Sequence, residues 1–140
     1  MVRVCRGRIV CMSWDNRIRE YHAPFDIIVT VRPEFVPIAD LFDDSIDPDT
    51  GKKYYDVDYM NRQVELGEAE WLMVKVECRL NGQVIGSSML GGVYLDKYYD
   101  LKSCVHDNGL IDNAKTEGWK WYNEASDTMA EYKVEGWANT

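Results

Sequence analysis

The residues whose types and spacing could do chemistry are concentrated between positions 33 and 70. Asp43, Asp44, Asp47 and Asp49 fall close together there. Such a run could hold a divalent cation or meet a basic partner. The calcium frame fails. A loop starting at Asp47 places aspartate at its first and third positions, but Gly51 at the fifth and Asp58 at the twelfth. An EF-hand needs an oxygen ligand at the fifth, glycine at the sixth and glutamate at the twelfth. Asp47-Pro48-Asp49-Thr50-Gly51 reads instead as a turn, with proline presetting φ and glycine taking the left-handed position.

Nucleophilic and metal chemistry have little support. His22 and His106 are the only histidines. Cys104, His106 and Asp107 could in principle form a Cys–His pair with an acid. Residues two apart on a helix do not face each other, so His106 is expected simply to end a helix. Cys5, Cys11, Cys78 and Cys104 match no zinc spacing and are expected as free thiols. There is no Gly-x-Ser-x-Gly, P-loop or dinucleotide fingerprint. Leu90-Gly91-Gly92 lacks the lysine and the Gly-x-Gly spacing of a phosphate loop. No catalytic residue, metal ligand or cofactor is expected.

The tyrosines are more suggestive. Tyr54, Tyr55 and Tyr59 form one group, and Tyr94, Tyr98 and Tyr99 another, each beside acidic residues. Tyrosine is enriched at binding surfaces, where its ring buries area at low entropic cost. The expected partner-binding residues are Asp43, Asp44, Asp47 and Asp49 together with Tyr54, Tyr55, Tyr98 and Tyr99.

Charge sharpens that reading. Net charge is −8. Residues 1–32 carry six basic against three acidic groups, residues 33–70 three against eleven, and residues 71–140 seven against ten. The middle segment alone therefore accounts for −8, and the flanking ones cancel. An acidic chain is a poor nonspecific ligand for nucleic acid, because phosphate neutralisation needs clustered Lys and Arg. The expected partner is a protein with a basic surface, with no direct nucleic-acid binding. No apolar run reaches the ~18–20 residues of a membrane span, and the N-terminus lacks the apolar stretch of a signal peptide. The expected location is therefore cytoplasmic, with no membrane partner. Oligomeric state is not legible.

The elements that must position these residues follow from the pattern. The length suggests one domain, 1–140, with an acidic loop at about 33–58. Residues 71–94 read as two strands joined by Asn81-Gly82, the pair that best tolerates φ > 0 at both centres of a type I′ turn. Residues 25–31 are rich in β-branched side chains and read as a strand ended by Pro33. A bent strand is expected over 2–12, a turn over 13–16 and a short edge strand over 18–21. Asp56 or Asp58 should cap a short helix over 59–66, with Gly67 ending it. A short helix is expected within 95–106 and a long one over 110–133. Leu110, Ala114, Trp121, Ala125, Met129 and Tyr132 fall on one stripe of a 3.6-residue period, so they are expected in the core. Gly118 reads as a weak point in that helix. The predicted fold class is α+β: a mainly antiparallel sheet, a short helix, and a long C-terminal helix packed on one face.

Asp-Pro-Asp-Thr-Gly, a capped short helix, Glu70-Trp71 opening a strand, the Asn-Gly hairpin, Leu90-Gly91-Gly92 and the long last helix together resemble small proteins of phages and mobile elements. The resemblance covers residues 47–133. It implies a phage-borne binder that blocks a host nucleic-acid-handling defence complex, a restriction or CRISPR effector, sterically or electrostatically. It supplies no catalytic residue. Two other classes stand beside it: a small metal-dependent hydrolase or nuclease using Asp/Glu, and a phage structural component that self-associates through strand edges.

Overall fold

The structure is a computed structural model and describes residues 14–132. The strand expected over 2–12, with Cys5 and Cys11, lies outside the described residues. Four strands, β1 (Asp15–His22), β2 (Phe25–Pro33), β3 (Glu70–Leu80) and β4 (Gln83–Leu95), form an antiparallel meander in chain order. Helices α1 (Ile38–Leu41) and α2 (Val57–Glu65) lie in the long β2–β3 connection. Helices α3 (Leu101–Asp107) and α4 (Leu110–Tyr132) follow the sheet. The fold is α+β, as predicted, with α4 packed on β3 and β4.

The hairpin turns where the dipeptide dictates. Asn81 has φ 51° and Gly82 φ 81°, the two positive values a type I′ turn demands. Two register shifts, between Leu72 and Val74 and between Cys78 and Arg79, then displace the pairing, so that Trp71 lies opposite Tyr94. Asp15 and Asn16 were expected in a turn. They pair instead with Val31 and Thr30, because β2 is extended along its whole length and offers them a ladder. An irregularity between Asn16 and Ile18 frees Arg17 from that ladder. Its guanidinium reaches over to Glu70, at 2.7 and 3.2 Å, and to Asp15 at 2.8 Å.

Period-2 alternation sends Phe25, Ile27, Val29 and Val31 of β2 and Leu72, Val74, Val76 and Cys78 of β3 to one face. There they meet Leu101, Cys104 and Val105 of α3 and Leu110, Ile111 and Ala114 of α4. Each fully buried aliphatic side chain contributes roughly 1.5–3 kcal/mol. The helix can come this close because two glycines face each other. A Cβ on Gly86 would strike the Ala114 carbonyl and sit 2.6 Å from the Gly118 nitrogen, and one on Gly118 would sit 2.7 Å from Cys78 Sγ. Gly118, a weak point by propensity, is thus the point of contact between helix and sheet.

Beyond Gly118 the expected core stripe does not hold. Trp121 is 39% exposed and Met129 59%. Gly118 lies against Cys78 and Ile85, and past it the helix runs over the hairpin tip, where Leu80 covers Trp121 and Ala125 only in part. Trp119, off that stripe, packs edge-on against Phe25 with ring centroids 4.7 Å apart.

A second, smaller core lies on the opposite face of the sheet. Ile38 of α1 and Val57 and Met60 of α2 are buried there against Phe42, Trp71 and Tyr94. Trp71 fastens the connection to the sheet. Its Nε1 donates to the Val36 carbonyl at 2.7 Å, and its own carbonyl accepts from Glu34 N at 3.1 Å. Asp56 caps α2, its Oδ1 accepting from Tyr59 N at 3.1 Å.

Candidate functional site

A cleft of about 560 Å³ opens along the end of β4. Leu90, Gly92, Val93 and Tyr94 of β4 border it. Phe42, Tyr54 and Tyr55 of the connection and Asp56, Tyr59 and Met60 at α2 form one wall. Asp96, Tyr99, Cys104 and Asn108 form the other. β4 is an edge strand, and among the described residues nothing pairs with its outer side. An edge in such a position presents backbone N–H and C=O groups for an added strand.

Aromatic packing shapes the first wall. Phe42 meets Tyr55 edge-on at 4.8 Å and Trp71 at 5.7 Å. The ladder Trp71–Phe42–Tyr55 therefore carries the rigidity of β3 out to the rim. Leu41 presses on Gly92, where a Cβ would come within 2.7 Å of its Cδ1 and where φ is +67°. Tyr54, Tyr55 and Tyr59 each remain about half exposed, at 51, 47 and 54%. They are open to solvent and are not part of the buried core.

The second wall is polar at its base. Asn108 Nδ2 donates to the Cys104 carbonyl at 2.8 Å and to Tyr99 Oη at 3.3 Å. Burial pushes the Cys104 thiol up, so it stays protonated and is no nucleophile near neutral pH. His106 stands two residues further along α3, turned away from Cys104 by helical geometry. Burial also raises the Tyr94 hydroxyl, and so do the neighbouring Asp96 carboxylate and Tyr59. Burial likewise leads the upward shift of Tyr99.

Of the residues predicted from sequence, the fold brings Tyr54, Tyr55 and Tyr99 into one cleft. Tyr98 points elsewhere: it is 83% exposed, with Lys97 Nζ 5.0 Å from its ring. The aspartates lie on the connection beside the cleft and do not line it. Asp43 Oδ1 accepts from Ser45 N at 2.9 Å, and hydrogen bonding from Ser45 holds its carboxyl below the usual range. Asp47 Oδ1 accepts from Asp49 N at 2.9 Å. Asp44 and Asp49 are exposed. Ile46 and Lys53 bridge across the turn between them, with Gly51 at φ 70°. The acidic stretch is thus a small folded hairpin with its carboxylates outward. Phe42, Tyr59, Tyr94, Asp56 and Asp96 were absent from the predicted set.

A second polar cluster ties β1 to α4. His22 Nε2 lies 2.8 Å from Glu20 Oε1, and Lys115 Nζ lies 3.2 Å from His22 Nδ1. The lysine can only donate, so Nδ1 accepts and Nε2 carries the proton toward Glu20. The His22 hydrogen bond holds the Glu20 carboxyl below its usual range. This chain of contacts fastens the sheet edge to the helix.

Among the described residues, no group of three or more His, Cys, Asp or Glu could hold a metal ion. No helix among them is long and apolar enough to cross a membrane. No family model, curated protein or solved structure matches the chain.

Proposed function

We propose that the protein is a non-enzymatic binding module that holds a basic partner protein in the tyrosine-lined cleft. The observation that carries this reading is the cleft itself: half-exposed tyrosines, braced by Trp71 and Phe42, along an edge of β4 that no described residue pairs. Tyrosines in such a setting bury large areas on binding with few rotamers to lose. The hairpin bearing Asp43, Asp44, Asp47 and Asp49 supplies long-range attraction, which speeds encounter and sets register more than it holds the complex. Surfaces with dense Lys and Arg belong above all to proteins that handle nucleic acid. A host defence complex of that kind, blocked by a phage-borne inhibitor, is the target class proposed.

Photo-crosslinking from defined positions tests this. A benzophenone amino acid at Tyr59, inside the cleft, should capture a basic protein in cells. The same group at Tyr21, which is 70% exposed on the opposite edge strand, should not. Equal capture from both positions would contradict the reading. Replacing the four aspartates with asparagine should slow association and flatten its salt dependence, because exposed charges act over ~8–10 Å at physiological salt. Asparagine at positions 43 and 47 would retain the side-chain oxygen that accepts the local N–H, so the hairpin should survive.

A further inference from the structure

We propose that the cleft is a receptor for one cationic side chain, a lysine or arginine of the partner segment, held between tyrosine rings and the carboxylates of Asp56 and Asp96. The inference rests on the binding-module reading and specifies what the cleft takes. Its first support is composition. Among the described residues, no Lys, Arg or His lines the cleft, while Phe42, Tyr54, Tyr55, Tyr59, Tyr94 and Tyr99 do. Ring faces carry negative quadrupole potential and attract a cation placed over them. The only ionised groups that the described residues bring to the lining are two carboxylates.

Both carboxylates are fixed by the backbone. Asp56 Oδ1 is engaged by Tyr59 N. Asp96 Oδ1 accepts from Tyr98 N at 2.8 Å and Tyr99 N at 3.0 Å. In each case Oδ2 makes no hydrogen bond with any described residue. An incoming ammonium or guanidinium would therefore find pre-oriented acceptors, with no side chain to reorder. Burial leads the upward shift of the Tyr94 hydroxyl and the Asp96 carboxylate adds to it, so the two lining carboxylates crowd negative charge into the cleft. An anionic occupant would worsen that crowding, a neutral one would leave it, and a cation relieves it. The neighbouring acidic hairpin extends the same sign outward, so it favours a basic polypeptide that is drawn in before one of its side chains is inserted.

The test uses two probes that differ only in charge: N-acetyl-arginine N-methylamide and the isosteric citrulline compound. Chemical-shift titration of the full chain should show saturable shifts at residues 90–96 and at α2 with the arginine probe. The citrulline probe should bind about tenfold more weakly or less. Asp56→Asn with Asp96→Asn keeps both capping oxygens, so melting should change little while the arginine probe falls to the citrulline level. Tyr55→Phe keeps the ring face and should preserve binding, whereas Tyr55→Leu should weaken it. Equal affinity for the two probes, no saturable shift in the cleft, or indifference to the double Asn variant would each overturn the inference. The two readings fail separately. Capture through Tyr59 with no charge preference leaves a docking cleft with a neutral occupant. Arginine preference without capture removes the protein partner and leaves the cationic site.

Discussion

The two faces of one hairpin have been put to different uses. From Trp71 to Leu95, alternate residues go to opposite sides of the sheet. Leu72, Val93 and Leu95 go inward to a core closed by α3 and α4. Trp71 and Tyr94 go outward to a small core that the connection only half covers. The inner side contains aliphatic residues and Phe25 at or near zero exposure, sealed by the contact of Gly86 with Gly118. The outer side uses tyrosines and stays open, and its cleft continues round the β4 edge to Val93, Tyr99 and Cys104 at the margin of the inner core. An aliphatic core gains from every contact closed. A surface kept open is better made of rings with polar tips, which tolerate water until a partner displaces it. The inner face is closed, and the outer face, left open, is the one proposed for association.

Mutations should separate the two faces. Phe25→Ala removes a fully buried ring and its contact with Trp119, and should cost about 3–5 kcal/mol in denaturant unfolding. Tyr55→Ala removes only an edge-on contact with Phe42 from a half-exposed side chain. It should cost about 0.5–1.5 kcal/mol. Similar losses from both would mean that the cleft is part of the core. Gly86→Ala comes next. Its Cβ meets backbone atoms of α4, which cannot rotate away, so roughly 1–3 kcal/mol of overpacking is expected, with the melting temperature lowered accordingly.

Trp121→Ala is the informative small effect. If the helix overhangs the sheet as described, the loss should stay below about 1 kcal/mol, near the range of surface positions. A loss of several kcal/mol would restore Trp121 to the core. Acid should have the smallest effect of all at any single site. Hydrogen bonding from Arg17 holds the Glu70 carboxyl below its ordinary value. The stabilisation is therefore complete above the unfolded glutamate pKa of about 4.3 and is lost as pH falls through the lower folded value. Partial exposure of the pair keeps the increment small. Glu70→Gln should remove this part of the pH dependence below about pH 4.3 and leave neutral-pH melting nearly unchanged.

Local chemistry made much of this fold legible. Asn81-Gly82 located the hairpin turn, the β-branched run located β2, and Asp56 or Asp58 with Gly67 bracketed α2, of which Asp56 is the cap. The phase of α4 was legible too, since Leu110 and Ala114 are buried as the period requires. What periodicity cannot express is where the sheet beneath the helix ends, so Trp121 and Met129 read as core when they overhang it. The cleft was harder to read for a related reason. Counting back from the turn, Leu80 pairs with Gln83, and an unbroken ladder would set Trp71 opposite Gly92. Two bulges shift it to Tyr94. No composition signal announces those bulges, so the meeting of Tyr94 with the aromatics of the connection was hidden. Asp56 read as one of two candidate helix caps, and Asp96 fell inside the segment expected to hold a short helix; the structure makes the first a cap and the second a turn residue. Both also line the cleft.

The central claim is that the tyrosine cleft holds the partner. Its most direct test is the dissociation rate of the captured partner from the Tyr55→Ala, Tyr59→Ala variant, compared with the unaltered protein at the same salt. Losing two half-exposed aromatic anchors should speed dissociation by at least about tenfold, equivalent to ~1.4 kcal/mol, while the protein stays folded. An unchanged dissociation rate from the folded variant would contradict the account.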